Sequence, residues 1–248
     1  MITDIVITSY NRRDFTKKCV QSVLDNTPAG TYRMIVVDNG SSDGTRDWLL
    51  DTIKAPHIVV ALNQNLGLQQ AKNVGMTLVK SPRFFSCDDD IIVPRDTKAG
   101  PMTWMSEMHR LMDENPKFSA ISMRPQILVG VGALFRDKPE VVENNVAGGS
   151  MRLMDTEAVR SVGAWAKDFE NRREEWHISD ALRAKGRLVG YARDGWCYHL
   201  FGDKVDAGNR WGYVGGVEHY HRTDTTEYHD GMFPHDPLTL VPLKRHNG

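Results

Sequence analysis

Arg83-Phe84-Phe85-Ser86-Cys87-Asp88-Asp89-Asp90-Ile91-Ile92-Val93-Pro94 decides how this chain is read. The aromatic stretch up to Cys87 has the composition of a buried strand, and Pro94 marks where regular structure stops. Between them stand three adjacent carboxylates. At a strand's end they repel one another and lose hydration, so a fold keeps them together only with compensation. A hard divalent cation, Mg²⁺ or Mn²⁺, is the usual compensation: one or two carboxylates hold it, and water and substrate phosphates complete its shell. The same residues also make an ordinary solvated acidic turn. The surroundings have to choose between these readings.

Upstream of the aspartates the chain alternates. Asp4–Thr8 is a β-branched strand, and Asp14 is placed to cap a helix with Phe15, Cys19, Val23 and Leu24 on one face. Met34–Val37 is a second strand, Thr45–Ile53 a helix, His57–Leu62 a third strand and Leu68–Lys80 a helix, before the Phe84-Phe85 strand. Strands alternating with helices predict βαβ units around a parallel sheet, whose ligands bind beyond the carboxyl ends of the strands. Those ends are polar here: Thr8-Ser9-Tyr10-Asn11-Arg12, Asp38-Asn39, Asn63-Gln64-Asn65 and Asp88-Asp89-Asp90. Each alone is a plausible turn; four together define a rim of carboxylates, amides and a little base.

The second half is less regular. Helices are expected over Met102–Asn115, Thr156–Val162 and Trp176–Lys185, and strands over Phe118–Met123 and Arg187–Tyr191. Gly148-Gly149 is a place for close backbone approach to a ligand. From Phe201 onward the chain is rich in Gly, His, Tyr and Trp, which predicts a lid or acceptor-side segment and not a separate domain.

Composition excludes several classes. With Lys+Arg 31 against Asp+Glu 32 the net charge is -1, so no global field favours nucleic acid or an anionic membrane. No stretch approaches about 20 apolar residues, which predicts no signal peptide or membrane segment. The 3 cysteines share no metal-type spacing and read as free thiols in a reducing cytoplasm. A Gly-x-x-x-x-Gly-Lys-Ser/Thr loop is missing, and the first strand is not followed by Gly-x-Gly-x-x-Gly. Diphosphate met by a metal instead of a glycine loop points to a sugar-nucleotide enzyme.

At this point order and spacing resemble a family. Thr8-Ser9-Tyr10-Asn11-Arg12, Val36-Val37-Asp38-Asn39-Gly40-Ser41-Ser42-Asp43-Gly44-Thr45, Asn65-Leu66-Gly67, Ala71-Lys72-Asn73-Val74-Gly75 and Asp88-Asp89-Asp90 follow one another as in the family 2 glycosyltransferases of GT-A fold. Gly148-Gly149-Ser150-Met151, Val162-Gly163-Ala164-Trp165, Glu174-Glu175 and Tyr198-His199 continue the match to about residue 202. The resemblance implies an α/β GT-A fold, Rossmann-like, with a mostly parallel sheet flanked by helices. It implies a domain over residues 1–202, with a nucleotide-sugar half (1–100) and an acceptor half (101–202), and an extension over 203–248.

It also implies roles. Thr8, Tyr10 and Asp38 would hold the donor's base and ribose, with Asn39 close by; Asn65 and Lys72 would line the nucleotide side, and Arg12, Asp88, Asp89 and Gly149 count among the donor-binding residues. Asp88 and Asp90 would be metal ligands for Mn²⁺ or Mg²⁺, Asp90 the most direct, with His199 completing the shell or contacting the diphosphate. Glu175 would be the catalytic base of an inverting transfer, with Glu174 as its alternate. The family usually has Asp at position 175 and Arg at position 181, where this chain has Glu175 and Ala181.

The implied reaction moves a sugar from a nucleotide diphosphate donor, a uridine diphosphate sugar first, to the hydroxyl of an unidentified acceptor: glycan, lipid, small molecule, protein or modified nucleic acid. Two other readings compete: a non-catalytic nucleotide- or carbohydrate-binding domain, and a nucleotidyltransferase, against which the glycine-free Thr8–Arg13 loop counts. His219, His221, His229 and His235 read as surface or acceptor-loop histidines sooner than a zinc site. Trp176, beside Glu175, is expected to face the acceptor.

Overall fold

The computed structural model describes residues 2–95, 103–125, 138–165 and 174–200. The expected C-terminal lid (203–248), its histidines, and Arg172, Arg173, Arg210 and Trp211 lie outside the described residues.

The first half is the alternation read from the sequence. Strands β1 (Thr3–Ser9), β2 (Tyr32–Asp38), β3 (Ile58–Ala61) and β4 (Arg83–Asp88) alternate with helices α1 (Arg13–Asn26), α2 (Thr45–Thr52) and α3 (Leu68–Thr77). The chain continues through β5 (Ile91–Ile92), α4 (Trp104–Glu114), β6 (Phe118–Pro125), β7 (Val141–Asn144), β8 (Met151–Asp155), α5 (Thr156–Ser161), α6 (Glu174–Ala184) and β9 (Leu188–His199). The strands form one 9-stranded sheet in the order β3-β2-β1-β4-β8-β6-β9-β5, with β7 on β9.

The β3-β2-β1-β4 half is parallel throughout. Beyond β4 the sheet becomes mixed. β8 inserts antiparallel between β4 and β6, and β6 pairs β9 in parallel. This insertion was not anticipated, because Met151-Arg152-Leu153-Met154 carries a charge inside an apolar run.

Alternate residues of each strand enter opposite layers, as period-2 geometry requires. Ile5, Ile7, Met34 and Val36 face a core filled by Cys19, Val20 and Val23 of α1, Leu49 of α2 and Trp104, Met108 and Leu111 of α4. Val6 and Ile35 face the other, filled by Met76 of α3, Val159 of α5 and Ile178 and Leu182 of α6. Each such side chain fully buried contributes about 1.5–3 kcal/mol, so two filled faces hold the sheet and its loops in register.

Several local readings are corrected. Helix α1 begins at Arg13 with Arg12 in the capping position, so Asp14 lies in its first turn and does not cap it. Helix α3 ends at Thr77, three residues short of the expected end, where the Leu78 and Val79 amides fold back onto Gly75 and Met76. The last strand runs through His199 instead of stopping at Tyr191. The three cysteines are free and buried, as read from the sequence.

Candidate active site

Register gathers the polar strand ends. Thr8 stands beside Asp88, and Ser9 beside Asp38. Two backbone bonds extend the rim: the Asn39 amide donates to Ser9 O (2.8 Å) and the Leu62 amide to Asp38 O (2.8 Å). Thr8 Oγ1 is buried and has no hydrogen-bond partner among the described residues. Tyr10 is exposed at the rim.

Three of the residues expected to contact the donor also make contacts within the loops. Asp38 is fully buried, accepts from the Ser41 amide at 3.3 Å and pairs with Arg46 Nε at 3.2 Å. Asn39 donates to Asn65 Oδ1 at 2.8 Å and accepts from the Leu66 amide at 2.9 Å. Asn65 Oδ1 also accepts from the Gly67 amide at 2.8 Å. Gly40, with φ +81, packs so tightly that a Cβ would lie 2.5 Å from the Gln64 carbonyl carbon. These side chains shape the rim by fixing the backbone that surrounds it.

The aspartates are compensated unequally. Arg12 bridges two of them: Nη1 is 3.1 Å from Asp89 Oδ1 and Nη2 is 2.9 Å from Asp90 Oδ2. Its guanidinium also lies 4.5 Å from the centre of the Phe15 ring. Burial, opposed by Arg12 and reinforced by Asp90, raises the Asp89 carboxyl to about 7. Burial works against ionisation of Asp90 too, but His199 and Arg12 outweigh it and hold that carboxyl below its ordinary value.

His199 reaches Asp90 through strand pairing. Ile91 sits opposite His199 across the β5–β9 ladder, and the Leu200 amide donates to Asp90 O at 2.7 Å. His199 Nε2 then lies 3.6 Å from Asp90 Oδ1, an oxygen with no hydrogen-bond partner among the described residues. That gap is too long for a hydrogen bond and short enough for two ligands of one cation at about 2.1 Å each. Asp88, with 31 % of its side chain exposed, presents a further oxygen at the same turn. Among the described residues no three side chains of metal-binding type are gathered closely enough to hold an ion; the unpartnered Asp90 oxygen and the imidazole facing it form a pair of donors, with Asp88 two positions away in sequence.

Helix α6 begins at Glu174, two residues before the expected start, and the two glutamates part ways. Glu174 is buried and fully engaged. Lys72 Nζ is 2.5 Å from Oε1, while Arg152 Nη2 and Trp165 Nε1 each lie 2.6 Å from Oε2. Burial favours its neutral form, but Arg152 and Lys72 together hold it down to about 2. Such a carboxylate is a poor proton acceptor. Glu175 is half-buried, and burial, with Glu174 and Asp88 adding to it, raises its carboxyl. A hydrogen bond from its own backbone amide at the helix start pulls the other way and is outweighed by burial. Trp176 beside it is 46 % exposed.

Lys72 lies 3.2 Å from Asp88 Oδ1 and is itself buried. Gly149 closes the group, since a Cβ there would lie 2.9 Å from Glu174 Oε1 and 3.6 Å from Asp88 Oδ2. Arg152 was missed by sequence reasoning; a charge within an apolar strand was the available signal, because it needs a buried counter-charge.

The ends of the parallel strands β1, β2 and β4, with the antiparallel β5–β9 pair, thus gather carboxylates, a histidine and an ion-paired helix terminus at one rim. Residues 4–122 match the model of glycosyl transferase family 2. Over 108 residues the chain is 32 % identical to the "Putative teichuronic acid biosynthesis glycosyltransferase TuaG" of Bacillus subtilis (strain 168), covering 43 % of this chain and 42 % of that one. Among solved structures, the mannosyltransferase PcManGT of Pyrobaculum calidifontis, in complex with GDP-Man and Mn²⁺, superposes with a TM-score of 0.65 at 16 % identity, covering 85 % of this chain and 58 % of that one. GalNAc-T7 with UDP, GalNAc and Mn²⁺ gives 0.64 at 14 % identity (81 % and 44 %), and S. aureus TarS 1-349 gives 0.61 at 14 % (80 % and 60 %). Over residues 4–122 the chain is thus similar to glycosyl transferase family 2, and its fold is that of the GT-A glycosyltransferases it superposes on. It spans between 42 and 60 % of the length of these relatives. Among the described residues no helix is long and apolar enough to cross a membrane.

Proposed function

We propose that this chain transfers a sugar from a nucleotide diphosphate donor to an acceptor hydroxyl, with inversion and with Mn²⁺ or Mg²⁺ bound at Asp90, His199 and Asp88. The observation that carries the reading is the β5–β9 pairing, which sets the unpartnered Asp90 oxygen 3.6 Å from His199 Nε2 at the rim of the parallel half-sheet. Similar structures that hold Mn²⁺ with nucleotide ligands support it. When bound, the cation would neutralise the diphosphate and favour its departure.

The chain's own residues supply the rest. His199 and Arg12 keep Asp90 ionised, and Arg12 takes one of its oxygens while the other is buried without a hydrogen-bond partner among the described residues. Thr8 Oγ1, buried and without a partner among the described residues, supplies a hydroxyl for the donor. Glu175 takes the proton of the acceptor hydroxyl as that oxygen attacks the anomeric carbon from the face opposite the nucleotide. Its raised affinity for protons suits it to the task better than Glu174. Trp176, exposed one position along, offers an apolar face to the acceptor.

The test is a panel of nucleotide sugars, uridine diphosphate sugars first, assayed for hydrolysis and transfer with Mn²⁺ or Mg²⁺. Turnover that stops on chelation and returns with metal is expected. No turnover of any donor, or turnover indifferent to chelator, overturns the reading.

A further inference from the structure

Family resemblance gives Lys72 to the nucleotide, yet its side chain is 1 % exposed and reaches no open surface. Its ammonium has three hydrogens, and two of them go to carboxylates: Asp88 Oδ1 at 3.2 Å and Glu174 Oε1 at 2.5 Å. The Trp165 ring covers it at 6.0 Å. We propose that Lys72 and Glu174 are positioning residues, a buried strut that ties Asp88 at the sheet rim to the first turn of α6, which carries Glu175. The inference rests on the function proposed above, since it concerns how that site is held.

The strut joins four elements. Lys72 stands on α3, Asp88 ends β4, Glu174 opens α6, and Arg152 of β8 anchors Glu174 from the far side at 2.6 Å. Two cations face two carboxylates, so the charges balance, and removing one would leave a buried partner uncompensated. The cost of desolvating such a site can match or exceed its Coulomb attraction, so the effect assigned to it is selection of one arrangement and not added stability. Here that arrangement fixes the turn of Asp88, with one oxygen on Lys72 and the other left for the rim. It also sets the separation of the metal-side carboxylates from the base-bearing helix. Gly149 makes room for it, because any side chain there would push against Glu174.

Lys72→Met, Lys72→Arg and Glu174→Gln test this in the full chain. Two affinities are read: Mn²⁺ alone, by paramagnetic resonance titration, and uridine diphosphate in chelator, by calorimetry. Lys72→Met and Glu174→Gln are each expected to weaken Mn²⁺ binding about 10–100-fold, the usual cost of losing a group that orients a metal ligand. Metal-free uridine diphosphate affinity should stay at the wild-type value. The double variant should weaken Mn²⁺ no further than the worse single, because both act through one contact. Lys72→Arg, which keeps the charge, should recover part of the loss.

Lys72→Met that loses metal-free nucleotide affinity while keeping Mn²⁺ affinity overturns the strut, because Lys72 would then touch the donor. Glu174→Gln with normal Mn²⁺ affinity and no transfer also overturns it, making Glu174 the base. If Lys72→Met does not fold, Lys72→Arg and Glu174→Gln decide by the same affinities. A wild-type chain that binds Mn²⁺ but turns over no nucleotide sugar sinks the proposed function, while the variants' Mn²⁺ affinities still decide the strut. A wild-type chain that binds no Mn²⁺ sinks both.

Discussion

Glu174 and Asp90 are both buried carboxylates, and they are satisfied in opposite ways. Glu174 receives Lys72 on one oxygen and Arg152 and Trp165 on the other. Asp90 has one oxygen clamped by Arg12, while the other faces His199 at 3.6 Å without a hydrogen bond among the described residues. Buried polar atoms in native proteins nearly always have partners, so an orphan needs a reason and a completed set does not. The α6 region spends its charges on holding structure, whereas the β4–β5 turn keeps capacity for a ligand.

The largest effect should come from the open side. Asp90→Asn keeps the shape and the bond to Arg12's neighbourhood but replaces a charged ligand with a neutral one. Metal-dependent turnover should fall to background while thermal unfolding stays cooperative. Turnover within a few-fold of wild type would place the cation elsewhere. Next in size is Glu175→Gln, for which loss of a positioned base costs about 10²–10⁴-fold in transfer. Donor affinity should be unchanged, and a calorimetric titration of donor against the variant checks that half of the claim. Because burial raises the Glu175 carboxyl, the rate should fall as pH drops through a value above the ordinary carboxylate range, and the Gln variant should lack that limb.

How much of this was legible in the sequence follows from the same contrast. The βαβ alternation and the polar strand ends are local signals, and β1 to β4 formed within one or two residues of their expected spans. The aspartate run announced itself because three carboxylates beside a strand are rare without a reason. Glu175 was preferred to Glu174 by resemblance alone, since their physical difference arises from Lys72 of α3, Arg152 of β8 and Trp165 in the turn after α5. The antiparallel β8 was missed because Arg152 breaks its apolar run, and only the buried Glu174 explains that charge. His199 was found by resemblance; the two-residue β5 that carries it to Asp90 leaves no periodicity to read.

A smaller effect sharpens the comparison at Arg12. Its fork spans Asp89 and Asp90, a geometry a single ammonium cannot reproduce. Arg12→Met should weaken Mn²⁺ binding about 10–100-fold, in line with loss of a group orienting a metal ligand. Arg12→Lys should recover little of it. Equal affinities for Arg12→Lys and wild type would mean that charge alone, and not the fork, orients Asp90.

The smallest effect on activity is expected at a carboxylate satisfied like Glu174 but remote from the rim. Asp4 is buried at the start of β1. It accepts from Arg33 Nε at 2.7 Å, the Lys80 amide at 2.6 Å and the Ser81 amide at 2.9 Å. Burial alone would raise its carboxyl, but Arg33 and the two amides outweigh it and lower it. A carboxyl lowered on folding stabilises the protein above its unfolded value of about 3.9, and that contribution disappears as pH falls through the folded value. Asp4→Asn should therefore cost about 1–3 kcal/mol at neutral pH, where it leaves charged and amide donors short of an acceptor. The gap between variant and wild type should close on acidification. Urea unfolding of both chains from pH 7 to pH 3 measures it, with metal-dependent turnover at pH 7 followed in parallel. If the gap persists at pH 3, the loss comes from packing and not from the charge. If turnover falls with stability still intact, a fully satisfied carboxylate far from the rim acts on the site, and the division between holding and ligating carboxylates fails.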